Sequence, residues 1–397
     1  MSKSTAQELV GSPVIYLDHN ATTSLRPEAF EAMKPYLGEQ FGNASSYYRL
    51  GRNAKDALEQ SRNTIARCIG AQPSEIIFTS GGTESDNLAL RGAVHALREK
   101  GDHIITSVIE HHAVLRTCED LQRDGFTVTY IPVDSNGRVN PDDIKRHICK
   151  KTILISLMFV NNETGVIQPV EEVGKIARAA GILFHTDAVQ AAGKLPVDVH
   201  NICVNLLSIS AHKLCGPKGI GVLYLRSGTP FKPMVTGGHH EHNLRAGTEN
   251  IPAIVGFAKA LSLATEHLEL TTKKISALRQ RLETSVLSRI ADVTINGIGA
   301  PRICNTSNMS FMAIDGESIL LHLDLRGMCA STGSACTTGA SEPSHVLAAM
   351  GVSTESAQGS LRFSLGKDNT EQEIDLVVEA LVEITSQLRE ISSLKAV

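Results

Sequence analysis

The chemistry of this chain can be built from Lys213. It stands in Ser210-Ala211-His212-Lys213-Leu214-Cys215-Gly216, just past the apolar run Val204 to Ile209. A lysine at a strand end amid Ser, His and Gly is a Schiff-base candidate, because a partly desolvated amine is a usable nucleophile. The ordinary alternative is a solvated loop lysine. Asp187, in His185-Thr186-Asp187-Ala188-Val189-Gln190, follows another apolar run. In an open α/β sheet that position faces the ligand crevice, although an Asp can equally cap the next turn. Thr79-Ser80-Gly81-Gly82-Thr83-Glu84-Ser85 reads as strand end, glycine turn and helix start. Free N–H groups and the helix dipole suit a phosphate there. Taken alone, a plain βα turn capped by Thr83 is the commoner use of such residues. Together, a Schiff-base lysine and a carboxylate for a ring nitrogen are the pairing that pyridoxal phosphate chemistry requires.

Two further groups carry reactive side chains. Glu110-His111-His112 follows the run His103 to Val108, and a histidine there could stack on a planar cofactor or move protons. Gly238-His239-His240-Glu241-His242 is His-rich, but its spacing fits neither helix nor strand and is a weak metal signal. The stretch Ala330 to Pro343 is rich in Gly, Ser and Thr and reads as a flexible loop. Cys336 within it is expected to be an exposed, reactive thiol, whereas Cys329 is expected to face the core from a strand. The other cysteines, at 68, 118, 149, 203, 215 and 304, are expected to be structural; none of the eight forms a CxxC pair.

These groups need a scaffold, and the hydrophobic pattern supplies one. Short apolar runs (Glu75 to Thr79, His103 to Val108, Thr127 to Pro132, Thr152 to Phe159, Ile182 to His185, Val204 to Ile209, Gly219 to Leu225) alternate with helical stretches. Repeated βα alternation predicts an α/β layer fold with a largely parallel sheet. From Ile251 to Ile290 the pattern predicts one long helical region. Beyond it, a few strands mixed with helices predict a smaller α+β unit. The chain has 397 residues, with 38 Lys+Arg against 42 Asp+Glu and a net charge of -4. That weak acidity argues against a nucleic-acid binder with a global basic field. No apolar run is long enough to span a bilayer, and Met1 to Val10 lacks a signal-peptide core, so a cytoplasmic protein with no membrane partner is expected.

Taken jointly, these residues resemble the cysteine desulfurases, pyridoxal-phosphate enzymes of fold type I related to class V aminotransferases. The similarity runs from Tyr16-Leu17-Asp18 and Asn20-Ala21-Thr22-Thr23 to the C-terminal helix. Gly333-Ser334-Ala335-Cys336-Thr337 through Glu342-Pro343-Ser344-His345 resembles the long-loop, NifS/IscS-like branch. The chain departs from that pattern at Ala44, Tyr48, Cys215 and Glu241-His242-Asn243.

The resemblance implies a large domain over 16–260, which dimerises and holds a mostly parallel seven-stranded sheet between helices. A small α+β domain, 1–15 with 261–397, would carry the cysteine loop. Lys213 would bind the cofactor covalently, Asp187 would pair with its ring nitrogen, and Gln190 would hydrogen-bond its phenolic oxygen. His111 would stack on the ring. Gly82, Thr83, Ser210 and His212 would hold the phosphate, with Thr248 reaching the neighbouring subunit's cofactor in a homodimer. Asn162, counted with the cofactor residues too, and Arg362 would bind the carboxylate of the substrate L-cysteine. Cys336 would take the sulfur as a persulfide, leaving alanine. It would then hand the sulfur to an acceptor such as an iron–sulfur scaffold, or ligate a nascent cluster; no metal is implied for turnover. An aminotransferase or selenocysteine lyase on the same fold, or a non-enzymatic sulfur carrier, are the competing readings.

Overall fold

The computed structural model describes residues 14–332 and 344–395; Cys336 lies outside them. After the two-residue strand β1 (Ile15–Tyr16), seven strands build the central sheet: β2 (Ile76–Thr79), β3 (His103–Ser107), β4 (Thr127–Ile131), β5 (Thr152–Ser156), β6 (Leu183–Asp187), β7 (Leu206–Ser210) and β8 (Gly221–Leu225). Their spatial order is β2-β8-β7-β6-β5-β3-β4. Every neighbouring pair is parallel except the two made by β8. Strands β3, β5, β7 and β8 are buried at every residue. That is why they read as continuous apolar runs and not as alternations: helices cover both faces.

Helices follow the strands where the apolar stripes predict them. Arg49–Ile69 buries Ala54, Leu58, Ile65 and Ile69 and is closed by Gly70 at φ 71°, a left-handed position that glycine takes without strain. Gly82–Ala96 lies against β7 and β8 and buries Leu88, Ala89, Ala93 and Val94.

A second apolar cluster lies apart from the first. It gathers Leu278 and Leu282 with Met309, Phe311, Leu361 and Phe363, and also Ile15 and Leu17 from the start of the chain. Its sheet is β9 (Val293–Ile295), β10 (Thr306–Phe311) and β12 (Ser360–Ser364), antiparallel in the order β12-β10-β9. Strand β1 pairs in parallel with β11 (Met328–Cys329).

The predicted single helix over 251–290 is two, Ile251–Glu266 and Leu268–Arg289, meeting at His267 (φ -101°, ψ 15°). The break has a packing cause. Ile254, Phe257 and Leu261 of the first helix belong to the large cluster, whereas Ile275, Leu278 and Leu282 of the second belong to the other. One straight helix cannot present its apolar stripe to two cores set apart in this way. The cysteine expectations also need correction at two positions. Cys149 is exposed, because it lies in the turn between helix Pro141–His147 and β5, and Cys329 is only partly buried, because two-residue β11 has a single strand beside it.

Candidate active site

Strands β2, β6 and β7 end at the same side of the sheet, at Thr79, Asp187 and Ser210. Their carboxyl ends open into a cavity of about 430 Å³. Crevices at these ends are the usual ligand sites of open parallel sheets. Gly82, Thr83, His111, Asn162, Asp187, Gln190, Ser210, His212, Lys213 and Arg362 all line it, although they come from distant parts of the chain. Thr248 does not; it is exposed, in a loop on the surface.

Lys213 ends the short 3-10 turn that follows β7. Its Nζ donates to the carbonyls of Asn20 (2.5 Å) and Ala21 (2.7 Å). The segment carrying those carbonyls is stitched to the lysine turn. Thr23 donates both N–H and Oγ1–H to the His212 carbonyl, and Cys215 N–H donates to Thr23 Oγ1 at 2.7 Å. Cys215 takes φ 64° there, an uncommon backbone for a residue with a side chain.

Asp187 is buried at the end of β6, and its Oδ1 accepts from Val189 N–H at 2.8 Å. Burial, reinforced by nearby Asp86, pushes its pKa up to about 7. A carboxyl in this position gains most from a cationic N–H that enters the cavity and restores its charge.

His111 is the N-cap of the helix His112–Arg123, and its Nδ1 accepts from Ala113 N–H at 3.1 Å. A ring nitrogen that accepts carries no proton, so the hydrogen of the neutral ring sits on Nε2. Burial, with Lys213 as the next cause, holds His111 down to about 4. It therefore faces the cavity as a flat, uncharged ring at neutral pH. His212 is likewise pushed down to about 4 by burial and then by Lys213, with Nδ1 3.1 Å from Thr22 Oγ1.

The glycine turn forms a cradle. No side chain caps the helix Gly82–Ala96. A Cβ on Gly82 would meet Val189 Cγ2 at 2.8 Å, and one on Gly221 would meet the Gly81 backbone at 2.7 Å. Glycine at both places lets backbone N–H groups line the cavity at a helix N-terminus. On the opposite wall, buried Arg362 of β12 donates from Nη2 to Asp18 Oδ1 (2.8 Å) and from Nη1 to the Asn162 carbonyl (3.1 Å). Asn161 shapes the turn before it, accepting the N–H groups of Glu163 and Thr164. A phosphate cradle, a buried carboxyl, a flat neutral ring and a lysine, with an arginine across from them, fit pyridoxal phosphate and an amino-acid carboxylate.

Sequence reading missed the Asn20 and Ala21 carbonyls, Asp86 and Lys194. Main-chain acceptors leave no side-chain signature, and Lys194 in Gly193-Lys194-Leu195 reads as an ordinary turn lysine. The His-rich stretch is tied internally: His239 Nδ1 lies 2.6 Å from Asn243 Oδ1, and Gly247 N–H donates to His240 Nδ1 at 3.2 Å. Glu241 accepts from both terminal nitrogens of Arg62 and from Phe78 N–H, all buried.

The fold and site define a pyridoxal-phosphate protein of fold type I. Residues 15–377 match the model of the aminotransferase class-V family, and the chain belongs to that family. It is 51% identical to a cysteine desulfurase IscS of Dictyoglomus turgidum over 96% of this chain and 97% of that one. A cysteine desulfurase IscS of Methanosarcina thermophila is 50% identical over 96% and 94%. A solved NifS-like protein superposes with a TM-score of 0.90 at 39% identity, covering 95% of this chain and all of that one.

Proposed function

We propose that this protein is a pyridoxal-phosphate-dependent cysteine desulfurase. It would convert L-cysteine to L-alanine and hold the sulfur as a persulfide on Cys336. The observation that carries the reading is the convergence of Lys213, Asp187 and Arg362 on one cavity. Relatives of nearly equal length bear the same name.

Bound pyridoxal phosphate supplies an electron sink. Gly82, Thr83, Ser210 and His212 would hold its phosphate end. Lys213 would anchor it, and Asp187 would pair with its ring nitrogen. Gln190 would donate to its phenolic oxygen, and His111 would stack on the ring. Arg362 and Asn162 take the carboxylate of the substrate; a guanidinium suits it as a planar fork. His111 Nδ1 is occupied by its cap bond, so the Lys213 amine is the better carrier of substrate protons. The Cys336 thiolate attacks the substrate sulfur. An S–S bond forms as the substrate C–S bond breaks, and the electron pair left on carbon takes a proton to give alanine.

The division into a large unit and a smaller one is supported by the break at His267 between the two clusters; Leu261 packs with the first cluster and Leu17 with the second, so the proposed bounds 16–260 and 1–15 with 261–397 move to about 267 and 18. A homodimer is supported by the exposed Leu37, Phe41, Tyr47 and Tyr48 and by Thr248, which lies away from its own cavity. No helix among the described residues is long and apolar enough to cross a membrane. A cytoplasmic setting and transfer of sulfur to an iron–sulfur scaffold or another acceptor complete the proposal.

Alanine and sulfide are measured with cysteine and a thiol reductant. Cys336→Ala should keep the yellow cofactor band and lose both products. Full turnover in that variant, or pyruvate in place of alanine in the wild type, would refute the assignment.

A further inference from the structure

The Gln190 side chain is held between two partners whose roles are fixed by their chemistry. Lys194 Nζ lies 2.9 Å from Oε1, and an ammonium can only donate. Gln190 Nε2 lies 3.0 Å from the Asn20 carbonyl, which can only accept. Turning the amide over would set oxygen against oxygen at Asn20 and an NH2 group against the ammonium at Lys194. Each contact therefore enforces the other. The Asn20 carbonyl also accepts Lys213 Nζ at 2.5 Å, so Lys194, Gln190, Asn20 and Lys213 form one chain of hydrogen bonds.

Lys194 does not line the main cavity. It lines a second, small one of about 70 Å³, with Lys213, Leu214 and Cys215. Lys213 lines both cavities, so Lys194 touches the site through its neighbours. Burial pushes its pKa down to about 8, against the pull of the Cys304 thiol, so it stays charged at neutral pH. The charged and titratable groups that face it are Lys213, Arg362, His19, His212, Cys304 and Cys215.

We propose that Lys194 is a positioning residue: it locks the Gln190 amide so that its NH2 group stands toward Asn20 and the cofactor cavity. One N–H of that group is spent on Asn20. The other is the donor for the phenolic oxygen of the cofactor. The inference rests on the pyridoxal-phosphate reading above.

The test is an absorbance titration of the loaded protein without substrate, following the visible band of the lysine-bound cofactor. A donor to the phenolic oxygen favours the form in which the lysine linkage has lost its proton, so losing the donor raises the midpoint. Lys194→Met should raise it by about one pH unit, the size expected for one charge-assisted bond. Lys194→Arg keeps donor and charge and should restore the wild-type midpoint. In a Gln190→Ala background, Lys194→Met should add little, because the two residues act as one. Should the Met variant fail to fold, Lys194→Leu, which likewise has no donor, takes its place in the same cycle, with the same expected direction.

A formed band whose midpoint does not move in Lys194→Met overturns the proposal. So does a shift that adds fully to that of Gln190→Ala, since Lys194 would then act only as a bare charge. Failure of the underlying reading looks different: the wild type would form no visible band with pyridoxal phosphate, or Lys213→Ala would form the same one.

Discussion

Replacing Asp187 by Asn should make the cofactor-free protein more stable, and the gain should grow as the pH rises. Asp187 is 7% exposed, and burial followed by Asp86 moves its pKa from an ordinary 3.8 to about 7. Between those values the folded state holds a proton that the unfolded state has lost. Stability therefore falls with rising pH across that window, and the loss is complete above the folded pKa. The difference is about three pKa units, a ceiling of about 4 kcal/mol at pH 8 that shrinks to about 0.5 kcal/mol at pH 4. Asn has nearly the same volume and keeps an oxygen for Val189 N–H. Urea unfolding of the cofactor-free wild type and variant at the two pH values reads the difference directly. Loading with pyridoxal phosphate should reverse the order, because the wild-type carboxylate then meets a cationic ring nitrogen. A variant no more stable than the wild type at the higher pH, without cofactor, would show that Asp187 is not held at a cost.

Two other substitutions probe the frame around the site. Gly82→Ala drives a Cβ to 2.8 Å from Val189 Cγ2, and overpacking of about 1–3 kcal/mol should weaken cofactor affinity roughly ten- to hundredfold while the fold survives. An unchanged cofactor Kd, measured by fluorescence titration, would remove the cradle argument. Glu241→Ala leaves Arg62, 3% exposed, without its buried partner, and chemical denaturation should show a loss of about 3–5 kcal/mol. A loss below about 1 kcal/mol would mean that Arg62 finds another acceptor.

Much of the scaffold was legible because burial on both faces leaves a plain mark. The runs at β3, β5 and β7 are mostly apolar at their centres and buried throughout, and Ser107, Ser156 and Ser210 stand where they end. Asp187, Ser210 and Lys213 were legible for the same reason: polar groups directly past apolar runs fall at the mouth of the sheet. Other features had no local mark. The helix break at His267 contains neither Gly nor Pro and follows from which core each half meets. Arg62 and Glu241 are 179 residues apart, and neither carries any sign of its partner. Strands β1 and β11 are two residues long, too short for any periodicity to register. The lysine's oxygen partners are backbone atoms, set by how residues 20–23 cross the turn at His212 and not by their side chains.

That crossing has a consequence for the order in which the protein can mature. The segment bearing Asn20 and Ala21 is anchored from the far end of the chain. Ile15 pairs with Met328 and Tyr16 with Cys329, and Asn20 N–H donates to Ser364 Oγ at 2.9 Å. A ribosome that has released only the seven-stranded sheet has made every strand end of the site and the Gln190 and Lys213 bonds to Asn20, yet none of the far-end contacts that pin residues 15–20. The lysine's carbonyl seat gains its full set of anchors only when the last strand, β12, emerges, some 340 residues after the segment it pins. Contacts of such long sequence separation form late in folding. Nascent chains of this protein would thus be poor traps for pyridoxal phosphate, and cofactor capture would be a step of the finished polypeptide.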